Sequence, residues 1–261
     1  MKLKVYDLNG NVVEEIDKPS FLNVPVREDI IKRAVLSEES YMYQPKGNYH
    51  LAGMQTSAEY VGRKEAYKSL KNRGQAMLPR EFYGGGIPGR VRRIPSAVGG
   101  RRAHPPKPEK KIVEYINRKE WLKAMQSALA ACFDVNYVIK RGHKVEEAPF
   151  VITDDVLSIN KTKDIFSLFK ILFGKDLIRA KEGKKRRTGV RRRKGGKIYP
   201  KSALVVVDKS FKAAENIPGV DVRIVEDLSV RDLAPGTHPG RLLVITKSAL
   251  KKLSSFWGEV E

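Results

Sequence analysis

Leu3 and Val5 alternate with lysines, and Val12 to Ile16 answers them after Asn9-Gly10. This pattern predicts a β-hairpin over residues 2–16 with a left-handed turn at Asn9-Gly10. Pro19 and Pro25 interrupt the pattern. From Arg27 the pattern changes period, with Ile30, Ile31, Ala34, Val35, Glu38 and Met42 following a helical repeat and Pro45 as the stop. Periodicity then disappears until Ile112, Val113 and Ile116. Trp121, Leu122, Met125, Ala128, Leu129 and Cys132 share a face of a second helix, for which Asn117 and Glu120 make a capping arrangement. After a turn near Arg141-Gly142, Phe150–Ile152 and Val156–Ile159 are short apolar runs expected as strands. Asn160 is expected to cap a helix carrying Ile165, Leu168, Phe169, Leu172 and Phe173, ended by Gly174.

Three apolar runs near the end, Ala203 to Val207, Val220 to Val225 and Leu242 to Ile245, have the character of strands covered on both faces. Lys209–Asn216 and Val230–Leu233 are short crossovers between them, and Lys247–Ser254 is a closing helix. The expected class is α/β, a mostly parallel sheet flanked by helices, with a long basic extended loop and a second shorter basic loop. One domain over 1–261 is expected, interrupted at 45–108 and at 179–201.

Charge explains why periodicity fails in those two places. Residues 45–108 hold 13 Lys and Arg against three acids, with half of the 14 prolines and 10 of the 21 glycines. Residues 179–201 hold 12 cations and one acid, Glu182. Their net charges of +10 and +11 account for the whole formal charge of +21, so the other 174 residues are neutral. A neutral body with two polycationic extensions points to a polyanionic partner. Nucleic acid is preferred to a membrane, because no basic amphipathic helix with a bulky apolar face is present. One cysteine, Cys132, excludes an intrachain disulfide and reads as a small core residue. With no signal-peptide pattern at the start and no long apolar run, a cytosolic chain is expected.

Candidate chemistry is sparse. Gly84 to Gly89 matches G-x-G-x-x-G but lacks the preceding strand and following helix of a dinucleotide site, so no cofactor is expected. His50, His104, His143 and His238 lie far apart, and no metal site can be drawn. Asp154-Asp155 and Glu226-Asp227 sit at element boundaries, where capping is the ordinary role. No catalytic residue is assigned. The extensions instead have the chemistry of RNA contact: arginine grips phosphate with a planar fork, and Tyr49, Tyr60, Tyr67, Phe82 and Tyr83 offer faces for unpaired bases. The acids within the extensions read as internal ion-pair partners. Ordering of the extensions is expected to accompany binding, apart from a short helix in Ser57–Leu70. A free RNA-binding regulator or RNA-processing factor is the alternative that composition leaves open.

The run from Arg73 to Arg80 (RGQAMLPR), the run from Gly89 to Pro106 (GRVRRIPSAVGGRRAHPP) and Arg186 to Gly196 (RRTGVRRRKGG) resemble the archaeal-type large-subunit ribosomal protein four family, and the likeness covers most of the chain. The resemblance implies a non-enzymatic ribosomal constituent located in the ribosome. Its body would lie on the outside of the large subunit and its long loop would thread rRNA to the peptide exit tunnel. The partners implied are large-subunit rRNA, neighbouring ribosomal proteins and the nascent peptide. Carried onto this chain, the tunnel tip falls at Lys71–Arg80, with Arg73, Gly74, Gln75, Met77 and Arg80. The rRNA contacts fall on Arg63, Lys64, Lys68, Lys71, Arg73, Arg80, Arg90, Arg92, Arg93, Arg101, Arg102 and His104. In the second extension they fall on Lys184, Lys185, Arg186, Arg187, Arg191, Arg192, Arg193, Lys194 and Lys197.

Overall fold

The computed structural model describes residues 2–258, with the side chains of 190, 191, 194, 257 and 258 outside that description. In chain order the elements are β1 (Lys2–Tyr6), β2 (Val12–Asp17), α1 (Glu28–Ser40), β3 (Arg80–Phe82), β4 (Pro88–Val91), α2 (Arg118–Cys132), α3 (Val135–Lys140), β5 (Phe150–Ile152) and α4 (Thr162–Glu182). Then come β6 (Lys185–Arg186), β7 (Lys197–Ile198), β8 (Leu204–Val207), β9 (Asp221–Ile224), α5 (Val230–Leu233), β10 (Leu243–Thr246) and α6 (Lys247–Gly258). The residues up to Met42 together with those from Val113 onward form one compact unit, the body, and Tyr43–Ile112 forms a second.

The body is built on a six-stranded sheet of order β2-β1-β5-β10-β8-β9. Only β1 and β2 pair antiparallel, and every other pairing is parallel. The period of two in β8 sends Leu204 and Val206 into one core and Val205 and Val207 into the other. The first core lies under α1, α2, α5 and α6, with Ile31, Val35, Leu129, Leu233 and Leu250 among its members. The second lies under α4, where Ile165, Leu168, Phe169, Phe173 and Leu177 meet Phe150 and Val244. Burial on both faces is why β8 and β10 read as unbroken apolar runs. β9, expected to be covered on both faces, is instead an edge strand, half-buried throughout, and accommodates Asp221 and Arg223.

Several local expectations are corrected. Asn9 does not share the left-handed turn; Gly10 takes that conformation (φ +80°) within a turn closed by Gly10 N to Asp7 O at 2.9 Å. Asn117 precedes α2 in extended backbone without a side-chain cap bond, and Glu120 instead accepts from Arg33 at 2.8 Å. Val156–Ile159 is not a strand; Asp154–Ser158 forms a 3₁₀ turn, and the Asp154 carboxylate accepts from the Ser248 N–H in the first turn of α6 (3.0 Å). Asn160 does not cap α4, which starts after Lys161 with no side-chain cap bond. Nor does Gly174 end it. Phe173 departs locally from helical geometry (φ −143°), yet the helix resumes because Asp176, Leu177 and Ala180 are buried beyond the break. The second basic run therefore begins inside α4. Ser57–Leu70 is a series of turns rather than a helix, and Lys68 in the left-handed region (φ +67°) is incompatible with one.

The body's two ends flanking Tyr43–Ile112 are held side by side. Ser37 Oγ donates to Glu114 O at 2.6 Å, and the Glu114 N–H donates to Ser40 Oγ at 3.0 Å. Both serines are buried, so these bonds are shielded from water.

Candidate RNA-binding surfaces

Within Tyr43–Ile112 the organising element is the antiparallel pair β3–β4, with Arg80 opposite Val91 and Phe82 opposite Pro88. Gly84–Gly86 form the turn joining them, with Gly85 and Gly86 both at φ +75°; contrary to expectation a strand does precede the G-x-G-x-x-G run, but β4, which holds Gly89, follows it in place of a helix. Glu59 bridges to Arg80 through paired backbone bonds of 3.1 and 3.2 Å. Two backbones approach closely at Gly53 and Gly100: a Cβ on Gly53 would lie 2.4 Å from Gly100 O. Ala58, Ser69, Leu70 and Gly86 are the buried residues of this unit.

The arginines divide into two kinds. Arg80 and Arg92 are half-buried and hold the fold together: Arg80 donates to Gly89 O (3.3 Å) and Ala76 O (3.4 Å), and Arg92 to Val98 O (2.7 Å). Arg63, Lys64, Lys71, Arg73, Arg90, Arg93, Arg101, Arg102 and His104 are exposed. Lys68 is half-buried, with its ammonium 5.6 Å from the Tyr67 ring and 5.5 Å from that of Phe82. The segment from Lys71 to Met77 is exposed throughout, including Gly74 and Gln75. Among the described residues one ion pair forms within this unit, Arg92 to Glu81 at 3.5 Å. The acids were expected as internal partners, and only Glu81 serves; Glu59, Glu65 and Glu182 form no ion pair among the described residues. Tyr49, Tyr60, Tyr67 and Tyr83 are exposed, whereas Phe82 is half-buried.

The second basic stretch belongs to the body. It leaves the last turn of α4, where Arg179 and Lys181 complement the carbonyl end of the helix dipole. β6 and β7 then pair Lys185 with Ile198 and Arg186 with Lys197. Lys184, Lys185, Arg186, Arg192, Arg193 and Lys197 are exposed, and Arg187 is half-buried. The Arg191 and Lys194 side chains lie outside the described residues. Two exposed sets of unneutralised cations thus face solvent. Such surfaces bind polyphosphate by releasing condensed counterions.

A profile of the ribosomal protein L4/L1 family matches residues 17–256, both cationic stretches included. The chain belongs to the ribosomal protein L4/L1 family. It is 45% identical to the large ribosomal subunit protein uL4 of Methanocaldococcus jannaschii over 97% of this chain and 98% of that protein. The protein of the same name from Archaeoglobus fulgidus is 44% identical over 98% and 99%. That of Methanococcoides burtonii is 43% identical over 97% and 98%. The match to the L4/L1 family starts at the end of β2, so most of the first hairpin precedes it.

One arrangement imitates a catalytic triad and is not one. Asp176, His143 and Ser202 are all buried, but the Ser202 hydroxyl donates to the Asp176 carboxylate (2.5 Å), not to histidine. His143 Nδ1 meets Asp176 at 3.1 Å, and its Nε2 accepts from the Leu242 N–H at 3.4 Å. The hydroxyl faces no imidazole, and its one acceptor is a carboxylate held well below the usual range by its hydrogen bonds, too weak a base to activate the serine as a nucleophile. The three residues, with Arg179, tie α4 to the sheet. Among the described residues no group of His, Cys, Asp and Glu could hold a metal ion, and no helix is long and apolar enough to cross a membrane.

Sequence reasoning missed a further group of the body, in which Lys140 and Arg141 at the end of α3 come together with His238 and with Arg179 and Lys201, the two cations that bound the second basic stretch. Its members come from four separate segments, and only Arg179 and Lys201 fall in a run of charge that the sequence marks. Arg141-Gly142 signalled only a turn.

Proposed function

We propose that this chain is a non-enzymatic structural constituent of the large ribosomal subunit, with large-subunit rRNA and neighbouring ribosomal proteins as partners. Membership of a ribosomal protein family supports this reading, as do the archaeal relatives that carry the name of a large-subunit protein. The observation that carries the mechanism is the set of exposed cations on 45–108 and 184–197 that form no ion pair among the described residues. In a globular surface such charges would repel one another; against packed phosphate they are neutralised. Phosphate and 2′-hydroxyl contacts fix the register of a protein on folded RNA, so recognition here is by shape.

In this reading the chain is one α/β ribosomal-protein domain, interrupted by an rRNA-penetrating loop at 45–108 and a basic loop at 179–201. The exposed cations of both stretches contact phosphate, and the four exposed tyrosines offer stacking faces. Arg80 and Arg92 act at one remove, shaping the loop through its carbonyls. Lys71–Arg80 reaches the polypeptide exit tunnel, where Arg73, Gln75 and Met77 meet the nascent peptide. Fractionation of cell extract tests the reading: the protein remains with large subunits through a moderate salt wash. Recovery solely from the free pool would overturn it.

A further inference from the structure

Tyr137, Lys140, Arg141, Arg179, Lys201 and His238 line a cleft of about 930 Å³ in the body. That volume lies in the range of small-ligand sites. The counter-charges within reach do not balance its cations. Lys201 Nζ is held by both Asp221 oxygens at 2.6 and 2.8 Å, but the same carboxylate is shared with the buried Arg241 at 2.5 Å. Arg179 is matched by Asp176, and the exposed Lys140 lies 3.5 Å from Glu28. Arg141 forms no ion pair among the described residues. Its Nη2 donates to the Pro235 carbonyl at 2.6 Å, and its Nη1 is shut off from solvent with no hydrogen-bond partner. Five cations (Lys140, Arg141, Arg179, Lys201, Arg241) therefore meet three carboxylates (Glu28, Asp176, Asp221), a surplus of two positive charges. Burial, aided by repulsion from Arg241 and Arg179, pushes the Arg141 guanidinium down to about 10. A cation so placed is stabilised by an anion brought to it.

We propose that this cleft binds a phosphate group of the RNA backbone, an anchoring contact of the body that joins Lys140 and Arg141 at the end of α3 to Arg179 and Lys201 of the second basic stretch. The inference rests on the ribosomal reading of the chain. RNA is favoured over a free anion by position: Ile198 of β7 also lines the cleft, so it adjoins the hairpin carrying Lys185, Arg186 and Lys197. A strand gripped by the hairpin runs on into the cleft, where Tyr137 supplies an aromatic ring with Lys140 5.9 Å from its centroid.

The test uses the full chain and a transcript of archaeal large-subunit rRNA, with affinity measured across a salt series. Lys140→Ala combined with Arg141→Gln is expected to weaken binding at least fivefold. It should also lower the log–log salt slope by about 0.7 to 0.9 for each phosphate the cleft no longer holds. Arg141→Lys, which keeps the charge, should recover part of the affinity. Lys140→Ala alone alters an exposed side chain, so its weaker binding cannot be a folding defect; thermal melts of all variants accompany the titrations. Wild-type protein that binds the transcript while Lys140→Ala and the double variant bind within twofold of it would overturn the cleft and leave the ribosomal reading intact. Failure of the wild type itself to bind would overturn both. A parallel titration with inorganic phosphate separates the sources: saturable phosphate binding abolished in the double variant, with rRNA affinity unchanged, would assign the cleft to a free anion and overturn the RNA occupant.

Discussion

Asp176→Ala removes the carboxylate on which the α4 side of the body converges. In the native fold its oxygens accept from Arg179 Nε (2.8 Å), Arg179 Nη2 (3.3 Å), His143 Nδ1 (3.1 Å) and Ser202 Oγ (2.5 Å), and the side chain is fully buried. Removing one partner of a buried charged pair costs about 3 to 5 kcal/mol, because the donors left behind lose their acceptor. Arg179 keeps its bond to Lys201 O at 2.9 Å and some access to water, which places the cost near the lower end, about 3 kcal/mol. Against a total of about 5 to 15 kcal/mol for a typical domain, that is a large share. Urea unfolding followed by circular dichroism measures it, with Lys175→Ala, at an exposed pair with Glu146, as a control expected to leave the midpoint unchanged. The sign with pH is also fixed. Burial raises the Asp176 carboxyl, but hydrogen bonds from His143, Arg179 and Ser202 outweigh it and hold the group well below the ordinary aspartate range. Its contribution is therefore complete above the unfolded value of about 3.9 and is lost as pH falls through the lower folded value. Asp176→Asn should flatten the acid limb of the stability curve in that window. A destabilisation by Asp176→Ala of less than about 1 kcal/mol, or an unchanged acid limb in Asp176→Asn, would refute the assignment.

Deleting Pro45–Pro108 should leave the body folded, because the Ser37 and Ser40 bonds to Glu114 already hold its flanking ends together and six residues of the second unit remain as a linker. The deletion should flatten the salt dependence of rRNA binding, by about 0.7 in log–log slope for each single-strand phosphate released; absence of a cooperative melt in the deletion variant would show that the body depends on the segment. Burial pushes the Cys132 thiol up to about 11, so at pH 8 the native protein should resist iodoacetamide and react only after denaturation; rapid labelling of native protein would contradict the packing of α2.

The sheet was legible because its strands are simple to read. Leu204, Val205, Val206 and Val207 point to alternate cores, and an element covered on both faces leaves an apolar run. The helices were legible in their faces but less so in their ends. Phe173-Gly174 carries a stop signal that is locally real, since the backbone departs from helix there, and tertiary burial of Leu177 and Ala180 overrides it. Val156–Ile159 shows the opposite difficulty, since a four-residue apolar run has no period by which strand and 3₁₀ turn can be told apart. The basic stretches were visible as composition alone. That Arg80 and Arg92 hold carbonyls while Arg90 faces solvent depends on the β3–β4 pairing and not on any local spacing. The cleft at Arg141 was out of reach for the same reason, since it exists only once α3, α4 and the segments at Lys201 and His238 are brought together.

The most direct measurement is electron cryo-microscopy of large subunits purified from the source organism. Lys71–Arg80 is expected at the wall of the exit tunnel, with Arg63, Lys64, Arg90, Arg93, Arg101 and Arg102 against rRNA phosphate and the neutral faces of the body at the particle surface. Density showing residues 45–108 away from rRNA on the outside of the particle, or no density for the chain in washed subunits, would contradict the ribosomal role proposed for this protein.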